Sequence, residues 1–182
     1  VDNSLAGEVG EGNRKDIRNA VEAAHAAASW GRSSAHGRAQ VLFFLAENLE
    51  ARASEFAQRI RDLTGTDGEE EVHAAIARLM YYAGWCDKYQ QTFSSVNPVA
   101  SAHFNFSVYQ PMGVVAVFAP EKSALAGLLG TILPIIAGGN ACVVLASESK
   151  PLCAITLAEV LATSDLPGGV INILTGNRDE LL

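Results

Sequence analysis

Three short runs with almost no polar interruption, Val114–Ala119, Ala141–Leu145 and Val170–Leu174, set the tightest limit on what this chain can fold into. A strand with one face in water alternates apolar and polar residues. A strand that is apolar at nearly every position needs cover on both faces, which is the situation inside a parallel sheet. The intervening stretches, Ser123–Ala137 and Pro151–Thr163, have helical length, and Pro151 suits a first helical turn. The order strand–helix–strand–helix–strand predicts an α/β fold with right-handed crossovers. From Met112 to Pro151 the charged residues are Glu121, Lys122, Glu148 and Lys150. Three of these follow the carboxyl end of an apolar run, where open parallel sheets bind ligands.

The residues before this region read as helices. After a glycine-containing loop, Asp16 is a candidate cap for a helix reaching about Trp30, with Ile17, Val21, Ala24 and Ala28 on one face. Past a polar turn at Gly31–Gly37, one long helix is predicted to carry Leu42, Leu45, Leu49, Ala53, Phe56, Ile60 and Leu63 as a single stripe. It stops at Thr64–Gly68, where glycine permits a left-handed residue. A third helix carries Val72, Ile76, Leu79, Ala83 and Cys86. Phe104–Gln110 alternates as an exposed strand does, with Phe104, Phe106 and Val108 on one face. The expected organisation is a helical segment over residues 1–103 and a partial sheet domain over 104–182.

Composition excludes several functions. The net charge of -7, with no Lys/Arg-rich stripe, opposes nucleic-acid binding. The longest apolar stretch, Ala124–Gly139, is too short and too broken by Pro134 and glycines to span a bilayer. Cys86, Cys142 and Cys153 stand singly in apolar surroundings, and no stretch reads as a signal peptide. A reducing, cytoplasmic compartment is therefore expected. His25, His36, His73 and His103 do not cluster, so no metal site is expected.

Several segments carry a more specific signal. Gln110–Val115 resembles the "EPxGVV" stretch of aldehyde dehydrogenases, and Ala137–Asn140 resembles their "AAGN" helix end. Ser147-Glu148 with Pro151 fits "KPSExTP", and Leu166–Asn172 with Thr175-Gly176 fits "LPxGVxNxxxG". Tyr81–Lys88 resembles "YYAGWADK". The spacing runs without a gap from Gln110 to Gly176, so the resemblance covers most of the chain. Glu11–Trp30 and Thr175–Asp179 further resemble the second repeat of family 16 aldehyde dehydrogenases, a degenerate copy without the nucleophile. The resemblance implies amino-terminal helices followed by a partial Rossmann-like coenzyme domain of aldehyde dehydrogenase type. It also implies NAD as coenzyme and other domains or subunits of the same type as partners, with a homo-oligomer expected.

The resemblance also assigns positions. Lys122 stands where the family has the Asn that donates to the oxyanion, a role for a fixed amide. Leu145 stands where a Lys holds the adenosine ribose, while Ser147 and Glu148 are kept. A carboxylate after a strand accepts from a ribose diol and disfavours a 2'-phosphate, hence NAD over NADP. Alternatively, Glu148 only caps the helix that starts near Pro151. The implied coenzyme-lining residues are Phe118, Ala119, Pro120, Lys122, Ser147 and Glu148, with NAD binding weak or vestigial. The family's catalytic Cys and Glu fall beyond the equivalent of Leu182, so no catalytic residue is assigned here. Cys86 and Cys142 read as core residues, and Cys153, near a helix start, has no partner base. The leading expectation is a non-catalytic structural or interaction repeat. One alternative is the first part of a working NAD-dependent aldehyde dehydrogenase. Another is a nucleotide-binding regulatory module resting on Ser147 and Glu148.

Overall fold

A computed structural model describes residues 5–181 of the chain. Helix α1, Arg14–Ala26, begins with a capping box. Asn13 Oδ1 accepts from the backbone N–H of Lys15 (2.8 Å) and Asp16 (3.3 Å), and Asp16 Oδ2 accepts from Asn13 N–H at 2.9 Å. The cap is therefore Asn13, with Asp16 as its reciprocal partner, which corrects the sequence reading. The α-helix also ends sooner than predicted. Residues Ala27–Arg32 tighten into a 3-10 turn that seats the buried Trp30, whose indole N–H donates to Ile136 O at 2.9 Å.

The predicted long helix is two helices, α2 (Ala35–Ala51) and α3 (Ala53–Thr64). Arg52 separates them with a ψ of 14°, far from the helical value. Its guanidinium binds both oxygens of Glu55 (2.8 and 3.0 Å) and reaches Glu159 at 2.8 Å. The apolar stripe survives the break because Leu42, Leu45, Leu49, Phe56 and Ile60 all enter one core. Periodicity alone does not register a single residue leaving the helix. Gly65 ends α3 in the left-handed conformation (φ 71°), as the Thr64–Gly68 stop predicted. Helix α4, Glu69–Trp85, and a short α5, Lys88–Phe93, follow.

Only Asn105–Ser107 of the predicted 104–110 strand is a strand, β2. It pairs antiparallel with Ser95–Asn97, β1, which the sequence reading did not find. Val96 faces Phe106 across the pair, and both are exposed, as are Phe104 and Val108. Asn97 Nδ2 donates to Asn105 Oδ1 and Ser107 Oγ on the polar side (3.1 and 3.0 Å).

The main sheet is β3 (Val114–Phe118), β4 (Ala141–Leu145) and β5 (Ile171–Leu174), parallel in that order. Helix α6, Ala126–Ala137, joins the first two strands. Helix α7, Leu152–Ala162, joins the second two, and α8, Arg178–Leu181, ends the described chain. Successive residues of a strand point to opposite faces. Ala141 and Val143 accordingly pack with Ala20 and Ala24 of α1, whereas Cys142 and Val144 join the core formed with α6 and α7. The crossover helices cover one face. Among the described residues the other face is covered by α1, with the 3-10 turn after it against β4. Helices α2, α3 and α4 pack instead on the outside of α6 and α7 as a further layer.

Glu71, in the first turn of α4, joins this layer to the sheet. Its Oε1 accepts from the Ser123 hydroxyl (2.6 Å) and the N–H groups of Leu125 (2.8 Å) and Ala126 (3.1 Å) at the start of α6. Burial opposes its charge, yet these bonds prevail and lower its pKa. Residues 123–125 are thereby held as a capping turn, which is why α6 starts at Ala126 and not at the predicted Ser123. Among the described residues, no helix is long and apolar enough to cross a membrane, and no group of three or more His, Cys, Asp or Glu converges.

Candidate functional site

The carboxyl ends of β3, β4 and β5 open into three loops, at 119–125, 146–151 and 175–177. Most residues singled out from the sequence lie here. Phe118 ends β3 half in solvent, with the Arg178 guanidinium 4.8 Å from its ring centre. Ala119 is buried, and its N–H donates to Leu145 O at 2.9 Å. Pro120 is half-buried beside Gly127, where an added Cβ would meet its Cγ at 2.5 Å. Lys122 is exposed and has no hydrogen bond or ion pair among the described residues. Leu145 is 7% exposed and lines an apolar recess of about 120 Å³ with Ile17, Ala116, Phe118 and Leu174.

Ser147 and Glu148 are already engaged. The Ser147 hydroxyl is buried and donates to Glu121 Oε2 at 2.6 Å. Glu148 Oε1 accepts from the Arg178 N–H at 2.5 Å, at the start of α8. The expectation that Glu148 caps the helix beginning near Pro151 is therefore corrected. The start of α7 carries no side-chain cap, and Glu148 serves the other loop. Beside them a cleft of about 270 Å³ is lined by Gly10, Glu11, Ser147, Glu148, Gly176 and Asn177.

Glu121 organises this end of the sheet; the sequence places it after a strand's carboxyl end but gives it no partner. Its carboxylate accepts from the hydroxyls of Ser147 (2.6 Å) and Ser149 (2.8 Å) and from the N–H groups of Glu148 (3.1 Å) and Ser149 (3.2 Å). The Lys150 ammonium returns to the Glu121 carbonyl. Register explains the meeting. Phe118 pairs with Leu145, so Glu121 and Glu148 each stand three residues beyond a paired position. The sequence shows both loops but not that register.

Desolvation resists the charge on Glu121, but the two hydroxyls and two N–H groups outweigh it and bring its pKa to about 2. Since this lies below the ordinary 4.5, the carboxylate supports the loop at every pH above that value and loses its contribution as pH falls toward about 2. Exposure screens the effect on global stability. In a carboxyl-carbon NMR titration the Glu121 resonance is expected to have its midpoint near 2; a midpoint near 4.5 would show that these bonds do not persist in solution.

The three thiols are buried and unpaired, with no disulfide among them. Burial raises Cys86 to about 11 and Cys142 and Cys153 to about 12, so thiolate formation is strongly disfavoured. Cys153, left open by its position near a helix start, belongs to the core like the others.

Other motif residues are structural. Asn140 Oδ1 accepts from the N–H of Met112 (2.7 Å) and Gly113 (3.1 Å), tying the end of α6 to the start of β3. Asn172 Nδ2 donates to Cys142 O (3.1 Å) and Gly169 O (2.7 Å), fixing β5 beside β4.

This arrangement has known counterparts. The model of the aldehyde dehydrogenase family matches residues 1–182. The chain belongs to the aldehyde dehydrogenase family. It is 30% identical to the mitochondrial aldehyde dehydrogenase of Rattus norvegicus, with 93% of this chain and 34% of the rat protein covered. It is also 30% identical to the 2-hydroxymuconic semialdehyde dehydrogenase of Pseudomonas putida, covering 94% of this chain and 37% of that protein. The crystal structure of PnpE from Pseudomonas sp. WBC-3 superposes with a TM-score of 0.93 at 30% identity, over 99% of this chain and 37% of PnpE. PnpE in complex with nicotinamide adenine dinucleotide superposes equally well, with a TM-score of 0.93. The chain spans about a third of the length of the curated relatives it matches. Its α/β fold, helices before a parallel sheet, is that of the corresponding part of aldehyde dehydrogenases.

Proposed function

We propose that this chain is a non-catalytic aldehyde dehydrogenase-type unit, a structural or association repeat like the second repeat of family 16 aldehyde dehydrogenases. Phe118, Ala119, Pro120, Lys122, Ser147 and Glu148 would line what remains of an NAD crevice. Residues 1–103 would form the helical segment and 104–182 the partial coenzyme-type domain. The observation that carries this reading is that Ser147 and Glu148, the polar groups kept from the family pattern, are bonded within the chain. Glu121 takes the donors of 147–149, and Arg178 N–H takes Glu148.

The residues present fit NAD poorly. Leu145 offers a ribose no donor, and Lys122 has no fixed geometry for an oxyanion. Association is supported by the exposed Val96, Phe104 and Phe106 of the β1–β2 pair, an apolar surface that a second copy or another domain of the same type would cover. Buried, unpaired thiols agree with a cytoplasmic setting.

A second reading takes the chain as the first part of a working NAD-dependent aldehyde dehydrogenase whose Cys and Glu follow residue 182. The close superposition on PnpE favours it. An absorbance assay tests the inactivity that both readings expect of this chain by itself, and micromolar NAD binding in calorimetry would favour the second. With an aldehyde and NAD, no NADH is expected to form, nor after Lys122→Asn combined with Leu145→Lys. NADH formation that requires both the aldehyde and this chain would overturn the non-catalytic reading.

A further inference from the structure

We propose that Glu121 is an internal latch that closes the crevice of this chain against a nucleotide. The inference rests on the reading of that crevice as a vestigial coenzyme site. The β3–β4 register brings the two loops side by side, and the latch holds them in both directions. The Glu121 carboxylate binds two hydroxyls and two N–H groups of residues 147–149, and the Lys150 ammonium binds the Glu121 carbonyl. Ser147 is 4% exposed, and its hydroxyl is engaged by Glu121 while the loops are joined.

The groups consumed are those a nucleotide needs. Its ribose and phosphate oxygens require N–H and O–H donors at the carboxyl end of the sheet, where such ligands bind. The donors of residues 147–149 that converge there already have an acceptor, Glu121. That acceptor is anionic, so its bonds are charge-assisted, and it repels a phosphate. It is also tethered, so it competes at high effective concentration against a ligand that must diffuse in. The ribose-type acceptor, Glu148, is at the same time committed to Arg178 N–H.

The test compares the unmodified chain with Glu121→Gln and Glu121→Ala, each confirmed as folded by circular dichroism. NAD and AMP are titrated by calorimetry, and amide hydrogen exchange is followed at Glu148 and Ser149. In Glu121→Ala both amides are expected to exchange faster, and NAD and AMP affinity to rise roughly tenfold, the scale of losing charge-assisted competing bonds. Glu121→Gln, which keeps one acceptor oxygen, is expected to give a smaller gain in the same direction. It carries the test alone if the alanine variant does not fold. Faster exchange with unchanged affinity would overturn the latch as a gate. Unchanged exchange would overturn it as a constraint on the loop. Micromolar NAD binding by the unmodified chain tests the other point, the vestigial site, whereas the latch depends on the ratio of variant to unmodified affinity.

Discussion

Phe56→Ala is expected to lower the free energy of unfolding by about 3–5 kcal/mol, measured by urea denaturation. Phe56 is fully buried where α3 meets the shared core, beyond the break at Arg52. The Arg52 guanidinium lies 6.0 Å from its ring centre, so the aromatic also braces the residue that separates the two helices. Truncation removes transfer energy and leaves a cavity in the layer packed outside α6 and α7. A loss below about 1 kcal/mol, well under the range for deleting a buried aromatic, would show that Phe56 is not in a close-packed core. For a domain with a total stability of about 5–15 kcal/mol the expected loss is a large share.

Gly169→Ala is expected to cost roughly 2–5 kcal/mol, by the same measurement, for two reasons that add. Gly169 has a φ of 89°, a conformation that L side chains rarely adopt. A Cβ there would also lie 2.4 Å from Ala23 O and 2.9 Å from Ala23 C, both backbone atoms of α1. The helix cannot yield by rotating a side chain; it must move off the sheet. Since Ala141 and Val143 pack against Ala20 and Ala24 of α1, the displacement exposes them. The neighbouring Gly168→Ala, whose Cβ meets nothing within 4 Å, is the control and is expected to be far milder. Equal effects at both positions would refute the close-approach argument.

The site and the core divide differently between what residues announce and what folding assembles. Lys122 and Leu145 could be singled out because their chemistry departs from the family pattern at a known spacing. Glu121 could not, although it stands next to Lys122. Its role depends on which strand lies beside β3 and in what register, and nothing local encodes either. Asn13 and Arg52 were missed for a related reason. A hydrophobic pattern reports which face is buried, and a helix can change its winding, its start or its continuity without disturbing that face.

The sequence by itself determined the helical first part, the three strands of the parallel sheet and the family, because these follow from local apolar periodicity and from motif residues at set intervals. Strands apolar on both faces leave few alternatives to a covered parallel sheet. Only the tertiary structure decided where the layers lie and which polar groups meet. It placed α1 on one sheet face, stacked α2–α4 outside the crossover helices, and closed Glu121 onto the loop after β4. The physical reason is range. Periodicity is set by neighbours a few residues apart, whereas a hydrogen bond between residues 121 and 149 has no energy until the whole sheet has brought its two ends together.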